Sequence, residues 1–315
     1  MSFGLGTFAA ADGVAYPGLV CDGHVRDLRP EFTSTLAMLC DWDAVLPRLR
    51  ELAVQEATGV PLATLRPLPP VEPSGQVLCA GANYHKHLHQ MVFAHLKREG
   101  DPRPDEELRL EAIETAERRA TVEEPFFFAG LPSALCGATD DVVLWGPGDE
   151  HDWELELAVV IGRDGRHIAR ADALSYVAGY TIANDISTRD VMFRPRFPMT
   201  DFAMTKLRPT FFPVGPYIVP AEFVPDPRAL HIMLKVNGEV MQDEGVDDII
   251  YGVDELIAYV SRVVDLRAGD LLLTGSPAGN AAHHDNRWLR PGDVIEGEIT
   301  GLGTQRNTCV AEARA

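Results

Sequence analysis

The chain has 315 residues and carries 28 Lys and Arg against 47 Asp and Glu, a formal net charge of −19. Proteins that bind nucleic acid need a basic surface, and an anionic membrane repels an acidic one. The balance therefore predicts neither partner. With 46% hydrophobic and 24% charged residues, the composition is typical of a folded globular protein.

The hydrophobic runs and the cysteines indicate where the protein is expected in the cell. No apolar run approaches the roughly 20 residues of a membrane span. The first residues lack the basic start and apolar core of a signal peptide. The 5 cysteines are far apart and form no Cys-x-x-Cys pair, as expected of reduced thiols. We expect a cytoplasmic protein.

The N-terminal part shows strand and turn signals followed by a proline-rich segment. Residues 1 to about 45 alternate short apolar stretches with glycine turns, which predicts a small β-meander. A helix is predicted from Asp41 or Asp43. The segment Pro61–Pro73 is too rich in proline for a helix or a central strand. We therefore place a boundary near residue 70, between a small β-rich domain (1–70) and a catalytic domain (71–315).

The middle of the chain reads as irregular before the pattern becomes rich in strands. The zone from His85 to about Pro125 is broken by Gly100–Pro104, and a charged surface helix is predicted from Asp105 to Arg119. From Val142 onward many short apolar runs are separated by turn signals. These features predict a β-rich α+β catalytic domain with a mixed sheet.

Two acidic residues on a predicted strand are the main chemical signal. Glu154 and Glu156 are two apart and project to one face, with Leu155 and Leu157 on the other. Adjacent carboxylates repel unless a cation or a shared proton lies between them. Asp185 follows the next strand, and three hard oxygen ligands suit Mg²⁺, Mn²⁺ or Ca²⁺. A solvated acidic strand face is the alternative.

An ordered series of motifs resembles the fumarylacetoacetate hydrolase family. The resemblance covers about residues 76–310, and it implies that family's mixed β-sheet roll or barrel. Residues 1–70 loosely resemble the small N-terminal domain of some members. The matching segments are Asn83–His87, Asp152–Leu157, Val177–Asp190, Gly215–Pro216, Val236–Glu239 with Gln242, Leu273–Gly279 and Leu289–Gly303.

The resemblance implies roles for individual residues. Glu154, Glu156 and Asp185 match the ligands of one divalent cation, usually Mg²⁺ or Mn²⁺, that chelates a keto-acid or 1,3-dicarbonyl substrate. Lys206 matches a catalytic lysine that contacts the substrate; a surface lysine is the alternative. Family members commonly form homodimers, so we expect one here. Three further positions are assigned to substrate binding, and they are Tyr84, Thr274 and Gly275.

The sequence departs from the family pattern in three places. His87 fits the histidine of a His-x-x-Glu lid that activates water, but the glutamate position holds Gln90, which cannot accept a proton. Lys206 is followed by Arg208 and Pro209 where many members have Lys-x-x-Asp, and we assign Arg208 to the substrate anion. The insertion of about residues 91–124 is longer than in compact members. His283 and His284 are further candidate bases.

These observations predict a divalent-metal-dependent hydrolase that cleaves a carbon–carbon bond of a β-dicarbonyl or acylpyruvate-type acid. His87 and Gln90 place water, and Lys206 contacts the anionic keto-acid or diketone. Catabolism of ring-fission products is the expected setting. The alternative is a decarboxylase, isomerase or hydratase of a 2-oxo or 2-hydroxy-dienoate acid that acts through a metal-bound enolate. A binding protein without turnover is a third possibility.

Overall fold

The computed structural model describes residues 2–10, 13–55, 59–194 and 196–313. No helix within those ranges is long and apolar enough to cross a membrane. The described helices are α1 (Thr35–Leu39), α2 (Trp42–Ala53), α3 (His85–Arg98), α4 (Asp105–Val122), α5 (Phe202–Lys206) and α6 (Val253–Val260).

Strands contain more of the described residues than helices do, which confirms the predicted β-rich α+β class. The described strands, in chain order, are β1 (Gly4–Ala9), β2 (Ala15–Cys21), β3 (His24–Asp27), β4 (Val60–Pro61), β5 (Arg66–Pro67), β6 (Val77–Gly81), β7 (Phe126–Gly130), β8 (Leu135–Gly137), β9 (Val142–Leu144), β10 (His151–Asp152), β11 (Leu155–Ile161), β12 (Val177–Asn184), β13 (Ser187–Thr188), β14 (Phe193–Arg194), β15 (Phe197–Thr200), β16 (Phe212–Pro220), β17 (His231–Val236), β18 (Glu239–Gly245), β19 (Leu271–Leu273), β20 (Val294–Ile299) and β21 (Gly303–Ala311).

A large mixed sheet forms the frame of the molecule. Its main path runs β4-β3-β2-β1-β16-β12-β11-β19-β6-β7 among the described strands, with β5 on β1 and β8 on β16. The N-terminal meander joins the sheet because β1 pairs antiparallel with β16, with Leu5 opposite Ile218. The sheet is therefore continuous across the predicted boundary, and the division at residue 70 stays a prediction.

The central strand β11 is apolar on both faces, as its sequence indicates. Leu155 and Leu157 pack in one hydrophobic core with strands of the second sheet, which is ordered β18-β17-β20-β21-β9 over the described chain. Ala158 and Val160 point to the other core, which includes residues of the N-terminal region. Burial on both faces is what a continuous apolar run favours in a central strand. This alternation fixes the direction of the two glutamates.

The insertion between β6 and β7 forms two packed helices. The irregular structure expected from residue 85 is wrong for His85–Arg98, which form α3. The charged helix is confirmed as α4, with Leu108, Ala112 and Ala116 as its buried face. Helices α3 and α4 lie against one another, and the break between them falls at the Gly-Asp-Pro-Arg-Pro segment. The two helices stabilise one another by packing. The proline and glycine signals in the sequence do not indicate this stabilisation.

Replacing Leu157 with alanine tests the packing behind the acidic strand face. Leu157 is fully buried, and truncation of a buried leucine costs about 2–5 kcal/mol of unfolding free energy. Urea unfolding followed by circular dichroism measures it. Val263→Ala, at a position that is 75% exposed, should change the unfolding free energy by less than about 0.5 kcal/mol. Equal effects of the two variants would contradict the assigned core.

Candidate active site

One large cavity, of about 1890 Å³, opens beside the carboxyl end of β12 and the start of β11. Helix α3 contributes to its wall, and so does α5. The cavity brings together six of the residues predicted from the sequence, which are His87, Gln90, Glu154, Glu156, Asp185 and Lys206.

Three buried carboxylates form the centre of the cavity wall. One oxygen from each of Glu154, Glu156 and Asp185 lies within 4.8 Å of the others. The two glutamates share a face because they are two residues apart on an extended chain. Asp185 joins them because its backbone N–H donates to the Glu154 carbonyl at 2.9 Å, as β12 ends beside β11. Sequence spacing and strand pairing thus assemble the cluster.

Two cations hold the Glu154 carboxylate, one on each oxygen. Arg189 Nη2 donates to Oε1 at 2.7 Å, and Lys206 Nζ donates to Oε2 at 2.6 Å. Lys206 Nζ also donates to Asp185 Oδ2 at 2.5 Å. Burial raises the pKa of Glu154, but Lys206 and Arg189 outweigh it, so the pKa is well below its usual range. Glu154 is therefore ionised at neutral pH.

The other two carboxylates have less compensation. Glu156 Oε2 accepts the Gly275 N–H at 2.7 Å, and burial with repulsion from Asp185 and Glu154 raises the pKa of Glu156 well above its usual range. Burial raises the pKa of Asp185 to about 6, although Lys206 opposes it. Asp185 Oδ1 is buried and has no hydrogen-bond partner within the described chain. Negative charge is thus in excess at this point.

The charges and donor atoms fit a divalent cation. With Asp152, which accepts from Arg189 Nε at 2.8 Å, the site has four buried carboxylates, the buried Lys206 and the partly buried Arg189, a balance of −2 when all are ionised. One divalent ion cancels that balance. The available donors are carboxylate oxygens, which Mg²⁺ and Mn²⁺ prefer over softer ligands. The unpaired Asp185 oxygen provides a ligand atom that no protein group uses.

Helix α3 places the two predicted lid residues at the cavity. His87 is 6% exposed, and burial lowers the pKa of its imidazole to about 4, so the ring is neutral at neutral pH. Neither His87 Nδ1 nor Gln90 Oε1, both buried, has a hydrogen-bond partner among the described residues. Both residues line the cavity, and each has one polar atom whose hydrogen-bonding capacity is unused. His283 also lines the cavity, whereas His284 Nε2 lies 2.9 Å from the Met241 carbonyl oxygen.

Three residues assigned to substrate binding lie behind the wall instead of lining it. Tyr84 and Thr274 are fully buried, and the Thr274 hydroxyl donates to the Leu157 carbonyl at 3.0 Å. Gly275 has a φ of +97°, and a Cβ there would lie 3.0 Å from Asn83 Cβ, so the turn requires glycine. Gly275 supports Glu156 through its backbone N–H, and contact of these three residues with a substrate stays a prediction.

The Arg208 side chain binds backbone carbonyl groups. Its guanidinium donates to the carbonyls of Met204 at 3.0 Å and Pro147 at 2.7 Å, and also to that of Trp145. It is absent from the cavity wall as the structure describes it. These bonds fix the loop after β9, and the contact of Arg208 with the substrate anion stays a prediction.

The site includes two residues that the sequence alone does not single out, the buried Asp152 and the partly buried Arg189. Asp152 Oδ1 accepts the backbone N–H groups of Trp153 and Ala281, at 2.9 and 2.8 Å. Its other oxygen binds Arg189, which thereby connects Asp152 to Glu154. Both lie inside the matching motifs Asp152–Leu157 and Val177–Asp190. The available sequence signal is an arginine five residues after Asn184, the buried polar residue that ends β12.

Comparison with known proteins agrees with these observations. The family model described as fumarylacetoacetate (FAA) hydrolase C-terminal matches residues 76–310. The chain belongs to the fumarylacetoacetate hydrolase family. Its fold is the fold of that family, since solved structures of members match nearly the whole chain.

Relatives in this family have different activities. A human mitochondrial oxaloacetate tautomerase is 34% identical over 85% of this chain and 77% of its own length. The 2,4-didehydro-3-deoxy-L-rhamnonate hydrolase of Sphingomonas sp. (strain SKA58) is 35% identical over 93% of this chain and 92% of its own. The crystal structure of maleylpyruvate hydrolase from Sphingobium sp. SYK-6, in complex with manganese(II) and pyruvate, is 26% identical with a TM-score of 0.74, covering 98% of this chain and 100% of its own.

Replacing Glu156 with glutamine tests the cation site. The change removes one charged ligand but keeps the shape, so Mn²⁺ affinity should fall by more than about 100-fold, which exceeds the 10- to 100-fold cost of losing an outer partner of a ligand. The free Mn²⁺ signal in electron paramagnetic resonance measures binding directly. Glu244→Gln is the control, because Glu244 lines the same cavity but pairs with Lys86. Equal Mn²⁺ affinity of both variants would exclude Glu156 as a ligand.

Replacing Arg189 with lysine tests the support of Glu154. A lysine keeps the charge but cannot reproduce the fork that binds Asp152 and Glu154 together. We expect Mn²⁺ affinity to fall about 10- to 100-fold, the usual cost of losing a partner of a ligand. Arg163→Lys, at an exposed ion pair with Asp43, should leave the affinity unchanged. Undiminished affinity in Arg189→Lys would show that Glu154 is held by Lys206 alone.

Proposed function

We propose that the protein is a divalent-metal-dependent hydrolase that cleaves a carbon–carbon bond of a β-dicarbonyl or acylpyruvate-type acid. One observation carries the proposal: a buried carboxylate cluster faces the same cavity as a neutral, unpaired imidazole. Carboxylates suit a hard cation, and a neutral imidazole can accept a proton. Together they provide the two groups that hydrolysis next to a carbonyl requires.

Glu154, Glu156 and Asp185 would hold the cation. When bound, it supplies the positive charge that polarises carbonyl oxygens of the substrate. Lys206 has three N–H donors, of which two are used by Glu154 and Asp185. The third is available to a substrate carboxylate or to a developing oxyanion. Lys206 thus orders the cluster and contributes charge at its edge.

His87 is the proposed base. Its Nδ1 takes a proton from water as the water oxygen attacks the acyl carbonyl carbon. The carbon–carbon bond then breaks, and its electron pair goes to the methylene carbon of the pyruvate part. His87 returns the proton to that carbon, so the products are a carboxylic acid and a methyl ketone acid. Gln90, one turn further along α3, can orient the water but cannot take its proton.

The cavity supports a substrate with an apolar tail. Its volume of about 1890 Å³ exceeds what a four-carbon acid fills. An anionic keto-acid end would bind beside the cation at the carboxylate cluster, which forms one part of the wall. Aromatic side chains line other parts of the wall, and they include Phe93, Phe126, Phe128, Phe202 and Trp288.

A tautomerase acting on a 2-oxo acid is the second candidate, and Gln90 favours it. Moving a proton between carbon and oxygen needs one base, which His87 supplies, whereas activation of water is helped by a second carboxylate. The relatives support both readings, because two of those named are hydrolases and one is an oxaloacetate tautomerase.

Product analysis with Mn²⁺ and a set of acylpyruvates with increasingly apolar tails tests the proposal. We expect pyruvate and the matching carboxylic acid, detected by mass, and at least 100-fold lower kcat for His87→Ala, since general bases contribute about 10²–10⁴. His231→Ala is the control, at an exposed histidine that pairs with Asp243. If enol and keto forms of oxaloacetate interconvert but no acylpyruvate is cleaved, the tautomerase replaces the hydrolase.

A variant at position 90 separates the two candidates further. Gln90→Glu adds the second carboxylate beside His87, so the hydrolysis rate should rise while the tautomerisation rate changes little. The control is Gln55→Glu, at the surface near Arg26. Gln305→Glu is unsuitable because Gln305 is buried among backbone carbonyls. A decrease of hydrolysis in Gln90→Glu would contradict the role given to Gln90.

A further inference from the structure

A second group of metal-ligand side chains lies between the two helices of the insertion. His85 and His89 are four residues apart and therefore neighbours on one face of α3. Glu117 of α4 faces them: its Oε1 is 3.1 Å from His85 Nδ1 and 3.5 Å from His89 Nε2. One ligand atom from each of the three residues lies within 4.8 Å of the others. None of the three belongs to the carboxylate cluster.

The distances suit a tetrahedral metal ion. Bonds of about 2.0–2.1 Å to nitrogen and oxygen place neighbouring ligand atoms about 3.3 Å apart in a tetrahedron. The two measured distances, 3.1 and 3.5 Å, lie on either side of that value. Two imidazoles and one carboxylate are a donor set that zinc uses, with the fourth position left to water. Mg²⁺ prefers oxygen ligands, so this set differs in selectivity from the first.

Hydrogen bonding alone leaves the group incomplete. His85 Nδ1 can donate to Glu117, but His89 Nε2, which is buried, has no hydrogen-bond partner in the described part of the chain. A buried nitrogen without a partner destabilises the folded state. A cation between the three side chains would bind this nitrogen and the shared carboxylate oxygen together. The unpaired atom is thus an observation in favour of a ligand, in addition to the clustering.

We propose that His85, His89 and Glu117 form a second metal site, selective for Zn²⁺ or a similar borderline cation, that joins α3 to α4. The helical spacing places His87 on the side of α3 away from His85 and His89. The metal would therefore hold the helix that carries His87 without touching the cavity side of that residue. This proposal does not depend on which reaction the cavity catalyses.

Titration with Co²⁺ under saturating Mg²⁺ tests the site. Mg²⁺ keeps the carboxylate cluster filled, and a four-coordinate Co²⁺ with imidazole ligands absorbs visible light far more strongly than a six-coordinate one. The wild type and Glu156→Gln should both show this absorption, saturating at one equivalent. His89→Ala and Glu117→Gln should weaken Co²⁺ binding at least tenfold. His95→Ala, an exposed histidine of the same helix, should bind as the wild type does.

Hydrogen exchange tests the connection between the helices. Zn²⁺ should slow amide exchange in residues 85–98 of the wild type and of His95→Ala, but not of Glu117→Gln, whose mutated side chain is half exposed and keeps its shape. No visible absorption in the wild type would overturn the metal site, and so would Co²⁺ binding by His89→Ala that equals binding by the wild type. The three side chains would then be joined by hydrogen bonds alone. Absorption without slower exchange would overturn the joining of the helices.

Discussion

The mutual repulsion of buried carboxylates is the constraint on which the rest of the site depends. Asp152, Glu154, Glu156 and Asp185 are all nearly inaccessible to water, and unpaired charges in such surroundings are very costly. Arg189 and Lys206 compensate two of them. The remaining charge is placed where substrate can reach it, so the fold keeps an attraction for a divalent cation. The global charge of −19 matters less than this local balance, because an anionic substrate is attracted only once the cation is bound.

The sheet explains how this arrangement is maintained. Strand β11 is buried on both faces, and its start brings Glu154 and Glu156 to the cavity. Neighbouring elements then hold each group: Asn184 Oδ1 accepts the Glu154 N–H at 2.9 Å, and the Gly275 N–H binds Glu156. Contacts of this kind orient ligands and tune their affinity for metal. His87 and Gln90 lie instead on α3, outside the sheet, so the proposed base and the proposed cation ligands are supported by separate parts of the structure.

Much of this could be predicted from the sequence. Strand alternation alone places Glu154 and Glu156 on one face, and the ordered motifs identify the family and its fold. The contacts of long cationic side chains could not be predicted in this way. Arg189 and Arg208 each lie within four residues of a predicted site residue, yet one binds carboxylates of the site and the other binds backbone carbonyls. The difference depends on which loops meet in space. Helix α3 was missed for a related reason, since its stability comes from packing on α4 and its composition gives only a weak signal.

The most direct test of the account is a crystal structure of the protein soaked with Mn²⁺, with the metal located by anomalous scattering. The account predicts one strong peak bound by oxygens of Glu154, Glu156 and Asp185, with Asp185 Oδ1 among the ligands and Arg189 still joining Asp152 to Glu154. A peak bound elsewhere in the cavity would contradict the account. The absence of a peak at the three carboxylates, with Lys206 still paired to Asp185, would also contradict it.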